Sequence, residues 1–192
     1  AENFAEMMKE FASLGVSYLG GCCGTTPAHI KALVSVCKDA ESFIPQKEKV
    51  TRVSSYSKTV NFGKKPIIIG ERINPTGKKL FKEALRNHDI GYIINEGVSQ
   101  KERGAHILDV NVGLPEIDEN EMMQSAVEAL QGVTDLPLQI DTADITAMET
   151  ALRMYNGKPM LNSVNGKEES MNSVFPLVKK YGAVVVCLCL DE

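Results

Sequence analysis

The stretch HILDVNVG, residues 106–113, is an apolar strand candidate interrupted by Asp109 and Asn111 near its end. Four other stretches have the same character, and helical patterns with recognisable ends separate several of them. They are PIIIGERIN (66–74), LPLQIDT (136–142), PMLNSVN (159–165) and GAVVVCLCLD (182–191). Apolar strands that alternate with helices predict an α/β fold with a parallel sheet covered by helices.

Polar side chains follow the apolar part of each strand. The candidates for a site are Glu71 and Asn74, Asp109 and Asn111, Asp141, and Asn162. Ligands of α/β barrels and open α/β sheets bind at the carboxyl ends of the strands, so we expect these side chains to share one rim. The alternative is that Asp and Asn only begin turns and cap helices, as Asp118, Asp144 and Asp191 can.

The residue types at this rim favour binding through hydrogen bonds. A carboxylate accepts two N–H donors from one edge of a heterocycle, and an Asn side chain both donates and accepts. A pterin presents such an edge, but a purine or a guanidine does so as well. The residue types alone leave these three ligands open.

The N-terminal part of the chain has a different pattern. We predict a helix over Glu2–Leu14, a short buried strand over Val16–Leu19, and a second helix that Thr26 caps and Pro27 begins. Residues 44–65 hold six Lys or Arg and one Glu, with weak pattern, which indicates a linker or an extended arm. The predicted domains are therefore 1–43, a basic linker over 44–65, and 66–192.

The sequence GGCCGTTP, residues 20–27, places Cys22 beside Cys23. Adjacent cysteines rarely bond to each other, because disulfide geometry is narrow. They are either buried residues, partners of distant cysteines, or two ligands of one metal ion. We expect the other three cysteines, Cys37, Cys187 and Cys189, to pack in the core.

Composition narrows the class of protein. The chain has 192 residues, 43% of them hydrophobic, with a net charge of −4. This charge argues against general binding to nucleic acid or to an anionic membrane. The five cysteines do not form a secreted disulfide framework, and the longest apolar run, 183–190, is too short to span a bilayer. We expect a cytoplasmic protein.

The motifs GERIN (70–74), LDVN (108–111), IDT (140–142) and LNSVNG (161–166) together resemble the methyltetrahydrofolate-binding barrel of cobalamin-dependent methionine synthases and corrinoid methyltransferases. GGCCGTTP is similar to the end of the zinc-dependent homocysteine-binding barrel of the same synthases. The resemblance implies parts of two (β/α)8 TIM barrels joined by a linker, with five strands of the pterin barrel, in an excerpt of a far longer protein.

The resemblance also implies a function. It is methyl transfer from 5-methyltetrahydrofolate through cobalamin to zinc-bound homocysteine, giving methionine and tetrahydrofolate. Cys22 and Cys23 would supply two thiolates to zinc, and the six rim residues would bind the pterin, with Asp141 and Asn162 foremost. Cobalamin would be held by a module outside this chain or by a separate corrinoid protein.

Three other interpretations remain open. Two are enzymes, a stand-alone corrinoid methyltransferase or an enzyme like dihydropteroate synthase, to which the second barrel is more distantly similar. The third is a pterin- or zinc-binding scaffold without catalysis. Neither enzyme accounts for the upstream GGCCGT.

Overall fold

The structure, a computed structural model, describes residues 1–40, 50–63 and 65–190. Residues 1–40 lie in one compact unit and residues 50–190 in another. The first unit contains α1 (Glu2–Ser13) and α2 (Pro27–Cys37). The second contains β1 (Arg52–Ser54), β2 (Thr59–Asn61), β3 (Ile69–Ile73), α3 (Lys79–Arg86), α4 (Ile90–Glu102), β4 (Ile107–Val110), α5 (Glu119–Val133), β5 (Leu138–Asp141), α6 (Ile145–Met154), β6 (Met160–Val164), α7 (Glu168–Tyr181) and β7 (Val184–Cys187).

The second unit is built on a parallel sheet whose strand order, β3-β4-β5-β6-β7, is the order of the chain. A doubly wound sheet reverses its strand order, whereas the wall of a (β/α)8 barrel does not. The five predicted strands are therefore confirmed, and this unit has the architecture of part of a TIM barrel.

The helices of the second unit begin and end where local chemistry requires. The Asp118 carboxylate accepts a hydrogen bond from the Glu121 amide at 3.0 Å and begins α5. The Asp144 carboxylate accepts from the amides of Thr146 and Ala147 and begins α6. Gly182, at φ +65°, ends α7 in a left-handed conformation that favours glycine.

The two faces of the sheet have different partners. Leu108, Leu138, Ile140 and Leu161 lie in a large apolar core together with buried residues of α3 to α7. Because side chains alternate along a strand, the residues between them lie on the opposite face. Sequence analysis did not find α3 and α4, which lie between β3 and β4. A turn at His88, with φ +51°, separates these two helices.

The segment interpreted as a linker contains the antiparallel hairpin β1–β2. Val53 and Val60 of the hairpin are buried with Ile107 and Met160 in a second apolar cluster on the face of the sheet opposite the large core. Residues 44–49 and Lys64 lie outside the described residues. Sequence analysis missed the hairpin, and the division at residues 43 and 65 stays a prediction.

Ser54 fixes the hairpin to the rest of the unit. The Ser54 amide donates to the Lys158 carbonyl at 2.9 Å, and the Lys158 amide donates to the Ser54 carbonyl at 3.0 Å. The Tyr155 hydroxyl also donates to the Ser54 carbonyl, and it accepts from the Leu138 amide, each at 3.0 Å. Backbone hydrogen bonds thus join the hairpin to the loop before β6, and the Tyr155 hydroxyl joins it to the start of β5.

Replacing Gly157 by Ala should destabilise this junction. Gly157 has φ +144°, and a Cβ at this position would lie 2.2 Å from the Ser54 carbonyl oxygen. We expect the variant to lose about 3 kcal/mol of unfolding free energy, measured from urea midpoints of the chain. Gly132→Ala is the matched control, because Gly132 lies inside α5 with open space around it; this variant should gain about 0.5–1 kcal/mol. A loss of the same size in both variants would contradict the role of Gly157.

The first unit differs from its prediction between the two helices. Residues 16–22 form no strand, and Val16 and Tyr18 are 44% and 95% exposed. A single strand leaves its backbone groups unpaired, and the described part of this unit offers no second strand to pair with it. The predicted buried strand Val16–Leu19 is therefore wrong.

The burial of the cysteines other than Cys22 and Cys23 also differs from the prediction. Cys187 and Cys189 are exposed, and Cys37 is partly buried. Cys187 ends β7, which lies at the edge of the described sheet and pairs there only with β6. Core packing of Cys187 and Cys189 is therefore a wrong prediction.

Candidate functional site at the carboxyl ends of the strands

Glu71 and Asn74 reach the rim because β3 is irregular at its end. The pairing of β3 with β4 shifts between Gly70 and Ile73, and the Gln100 side chain accepts a hydrogen bond from the Arg72 amide at 2.8 Å. A Cβ on Gly70 would lie 2.6 Å from this Gln100 oxygen, so a larger residue at position 70 would displace the Gln100 side chain from the Arg72 amide. The Asn74 carboxamide accepts from the Thr76 amide at 2.9 Å, which fixes its orientation.

Asp109 and Asn111 lie at the end of β4 and contact residues of β5. Asp109 is 2% exposed and accepts a hydrogen bond from the Gln139 side-chain amide. Asn111 donates from Nδ2 to Asp141 Oδ2 at 3.0 Å, and its Oδ1 accepts from the Gly113 amide at 3.0 Å. The carboxylates of Asp109 and Asp141 are thus each held by an amide side chain from the neighbouring strand.

Asp141 and Asn162 lie side by side, because they are direct partners in the pairing of β5 with β6. Asp141 is held by Asn111 on one side, and Asn162 occupies the other. The carboxylate and the carboxamide therefore meet at the same level of the sheet, where one planar ligand can contact both.

A cavity of about 340 Å³ brings these side chains together. It is lined by Ile69, Glu71, Asn74, Asp109, Gln139, Asp141 and Asn162. Five of the six predicted rim residues line it directly, and the sixth, Asn111, hydrogen-bonds to Asp141. A second cavity of about 440 Å³ shares Asp141 and Asn162 and extends between α6 and α7.

Two carboxyl groups of this cavity, those of Asp109 and Asp141, are hard to ionise. Burial raises the pKa of Asp109 to about 6, and the nearby carboxylates of Asp141 and Glu71 act in the same direction. Burial also raises the pKa of Asp141, while hydrogen bonds from Asn111 and Asp109 lower it. Like charges that are buried close together cannot both ionise easily, so a proton on Asp109 favours the carboxylate of Asp141.

Cys22 and Cys23 lie in an exposed turn before α2, with their two sulfurs 3.7 Å apart. Gly24 follows with φ +84°, a left-handed conformation that a side chain would strain. Hydrogen bonds from the backbone and side chain of Cys23 lower the pKa of the Cys22 thiol. The strand predicted over Val16–Leu19 is absent, so the cysteine pair follows an irregular segment.

The cysteine pair borders a cavity of about 540 Å³ that Phe4, Met8 and His29 also line. Two contacts hold the His29 ring. Its Nδ1 accepts a hydrogen bond from the Thr26 amide at 3.2 Å, and the ring packs edge-on against the ring of Phe4. No group of three or more His, Cys, Asp or Glu able to hold a metal ion occurs within residues 1–40, 50–63 and 65–190. The described part of the chain thus brings two thiols, those of Cys22 and Cys23, to this cavity.

Comparison with known proteins gives a family for each unit. Residues 70–192 match the model of the family described as "Pterin binding enzyme", and residues 1–37 match "Homocysteine S-methyltransferase". The first match covers well over half of the chain. The chain belongs to the pterin-binding enzyme family.

Individual relatives agree with both family matches. This pterin-binding enzyme chain is 35% identical to "Methionine synthase" of Mycobacterium leprae (strain TN) and 32% identical to "Methionine synthase" of Mycobacterium tuberculosis (strain ATCC 25618 / H37Rv). Each alignment covers 100% of this chain and 17% of the relative. The resemblance to methionine synthases is confirmed, and the chain spans about a sixth of the length of these relatives.

One residue of the cavity was missed by sequence analysis. Gln139 lies two positions before Asp141 in LPLQIDT, so strand alternation places it on the same face as Asp141. A polar residue within an otherwise apolar strand was the signal that could have identified it.

The described helices include none that is long and apolar enough to cross a membrane.

Proposed function

We propose that this chain is the part of a cobalamin-dependent methionine synthase that binds 5-methyltetrahydrofolate and supplies two of the zinc ligands for homocysteine. The observation that carries the proposal is the cavity at the carboxyl ends of β3 to β6, where three carboxyl groups and two Asn carboxamides converge. The matches to pterin-binding and homocysteine methyltransferase families, in this order along one chain, support it.

The cavity suits a pterin edge because its groups supply both donors and acceptors. Asp141 would accept from the 2-amino group and the adjacent ring N–H, and Asn162 would complement the opposite polar edge. Asp109, Glu71 and Asn74 would complete the wall, and Asn111 would hold Asp141 in place. Two hydrogen bonds from one planar edge fix the orientation of the ring, which directs the N5-methyl group toward its acceptor.

The protein must also let N5 gain a proton, because N5 would otherwise have to leave as an amide anion, a poor leaving group, when the methyl departs. The cavity holds a carboxyl group at the end of β4 whose burial keeps its pKa near 6, so a proton is available close to neutral pH. This chain contributes no residue that we assign to cobalamin. We propose that cobalamin is carried by another module of the full-length protein or by a separate corrinoid protein.

The cysteine pair fits two positions of a zinc site. Two sulfurs that are each 2.3 Å from a tetrahedral zinc ion lie about 3.8 Å apart. The sulfurs of Cys22 and Cys23 are 3.7 Å apart, exposed and free of disulfides. A bound zinc ion would hold homocysteine as a thiolate near neutral pH, and the remaining protein ligands would come from outside the described residues. The free cysteines agree with the cytoplasm, the location that we propose.

Binding and methyl transfer by the full-length protein test this function. The protein should bind 5-methyltetrahydrofolate and transfer the methyl group to added cob(I)alamin. The change in cobalamin absorbance measures this transfer. Folded protein that binds no 5-methyltetrahydrofolate would overturn the proposal. Binding without methyl transfer would favour a scaffold that lacks catalysis.

A further inference from the structure

His29 lines the cavity of the cysteine pair, and the proposed function assigns it no role. It lies in the first turn of α2, three residues after the N-cap Thr26. A histidine that borders the same cavity as two thiols can serve a metal site in two ways. It either binds the metal itself or holds the segment that carries the ligands. The hydrogen bonds of the ring distinguish these two roles.

The Nδ1 atom of His29 accepts a hydrogen bond from the Thr26 amide at 3.2 Å, and the Thr26 hydroxyl oxygen lies 2.8 Å from the same atom. A backbone amide can only donate, so Nδ1 carries no proton and the neutral ring has its proton on Nε2. A metal-bound histidine has the opposite arrangement, because it binds through one ring nitrogen and donates the N–H of the other. The His29 ring is therefore arranged as a support and not as a zinc ligand.

The hydrogen bond to His29 holds the residue that directly follows the cysteine turn, residues 22–25. The Thr25 amide donates to the Cys22 carbonyl at 3.0 Å and closes this turn. Gly24 has φ +84°, the value that the third residue of a type II turn requires. The backbone of the turn runs straight into Thr26, so fixing the Thr26 amide fixes one end of the turn.

The His29 ring also packs against α1. The centroids of the His29 and Phe4 rings are 5.5 Å apart, and their planes meet at 85°, the edge-to-face arrangement that aromatic pairs prefer. Phe4 and Met8 of α1 line the same cavity as the two cysteines. His29 thus connects α1, the start of α2 and, through Thr26, the cysteine turn.

We infer that His29 is a positioning residue of the zinc site, which holds the turn with Cys22 and Cys23 in the conformation that binds the metal. The inference rests on the proposed function, because it concerns the same two thiols. Both cysteines are exposed, so core packing does not order them. Their sulfurs nevertheless lie 3.7 Å apart, close to the spacing in a tetrahedral zinc site. A turn that is ordered before the metal arrives loses less conformational entropy on binding, which raises the affinity.

The test compares two substitutions of His29 in the full-length protein, with zinc affinity measured by competition with a chelator. His29→Ala removes the acceptor of the Thr26 amide, and we expect it to weaken zinc binding by about tenfold or more. Gln at this helix position can accept the same capping hydrogen bond, so His29→Gln should bind zinc within about threefold of wild type. Equal loss in both variants would show that the ring itself binds zinc and would overturn the inference. Unchanged affinity in His29→Ala would overturn it as well.

Cobalt(II) in place of zinc gives a second readout, which does not depend on the stability of the variants. The absorption bands of bound cobalt report the number and the type of its ligands. At saturating cobalt, wild type and His29→Gln should show the same bands, because the His29 ring contributes no ligand to the metal. Bands that shift in His29→Gln would identify His29 as a ligand and overturn the inference.

Ser35→Gly is the matched control. Ser35 is exposed in the last turn of α2, where Gly weakens the helix without touching the cysteine turn. This variant should keep the zinc affinity of the wild type, and a loss as large as that of His29→Ala would overturn the inference.

Two further measurements separate this inference from the proposed function. Transfer of the folate methyl group to cob(I)alamin should be normal in all three variants, because it uses the other unit, and it verifies that they fold. Wild-type protein that binds no zinc would overturn the zinc site of the proposed function. Wild-type zinc binding that His29→Ala leaves unchanged would overturn only the role of His29.

Discussion

Asp141→Asn should weaken the binding of 5-methyltetrahydrofolate by about 30-fold or more, which corresponds to roughly 2 kcal/mol. The Asp141 carboxylate is held by Asn111 at 3.0 Å and lies beside Asn162 in the sheet. In the proposed function it accepts two N–H donors of the pterin, and an Asn side chain at this position offers one acceptor and turns an N–H toward the other donor. A donor left unpaired in a closed site accounts for a loss of this size.

Two half-reactions of the full-length protein separate a binding role from a structural one. Methyl transfer from 5-methyltetrahydrofolate should fall in Asp141→Asn, while homocysteine methylation from supplied methylcobalamin should remain nearly unchanged, because it uses the other barrel. Equal loss in both half-reactions would mean that Asp141 is structural. Unchanged folate binding would remove Asp141 from the site.

Asp144→Asn is the matched control for Asp141→Asn. Asp144 lies three residues further along and accepts hydrogen bonds from the amides that begin α6. Asn caps a helix about as well as Asp, so this variant should keep both the fold and the folate affinity of the wild type. A similar loss of folate affinity in Asp144→Asn would show that any change of charge near the rim has this effect.

Cys22→Ser and Cys23→Ser should each abolish homocysteine methylation, with a loss of roughly 100-fold or more in rate and in zinc affinity. The two sulfurs are placed 3.7 Å apart in an exposed turn, and a serine hydroxyl is a poor replacement for a thiolate zinc ligand. Zinc content by atomic emission and the two half-reactions are the measurements. Transfer of the folate methyl group to cob(I)alamin should continue.

Cys37→Ser controls for the loss of a thiol in the same unit. Cys37 ends α2 and is partly buried, and we assign it no metal. This variant should keep its zinc and its homocysteine methylation. Full zinc content in Cys22→Ser or Cys23→Ser would contradict the assignment of the pair as zinc ligands.

The positions of the five parallel strands could be predicted from sequence because each depends on a local apolar run and on the turn residues beside it. The same holds for Asp118, Asp144 and Gly182, whose caps need only the next few residues of the chain. The polar residues of the rim were predicted for a related reason. The carboxyl ends of parallel strands lie at one edge of the sheet, so residues that end successive strands can be predicted to lie near one another.

What the sequence by itself determined is therefore the five parallel strands with the helices α5, α6 and α7 between them, the rim, and the resemblance that motifs such as GERIN and GGCCGTTP carry. Contacts between distant residues were decided only in the tertiary structure. Gln139 contacts Asp109 thirty residues away, and Ser54 of the supposed linker pairs with Lys158 in the loop before β6. The turn at Cys22 is irregular because a strand there needs a neighbour to pair with, and local pattern cannot supply one. Burial and the approach of like charges, which raise the pKa of Asp109, exist only once the strands lie side by side.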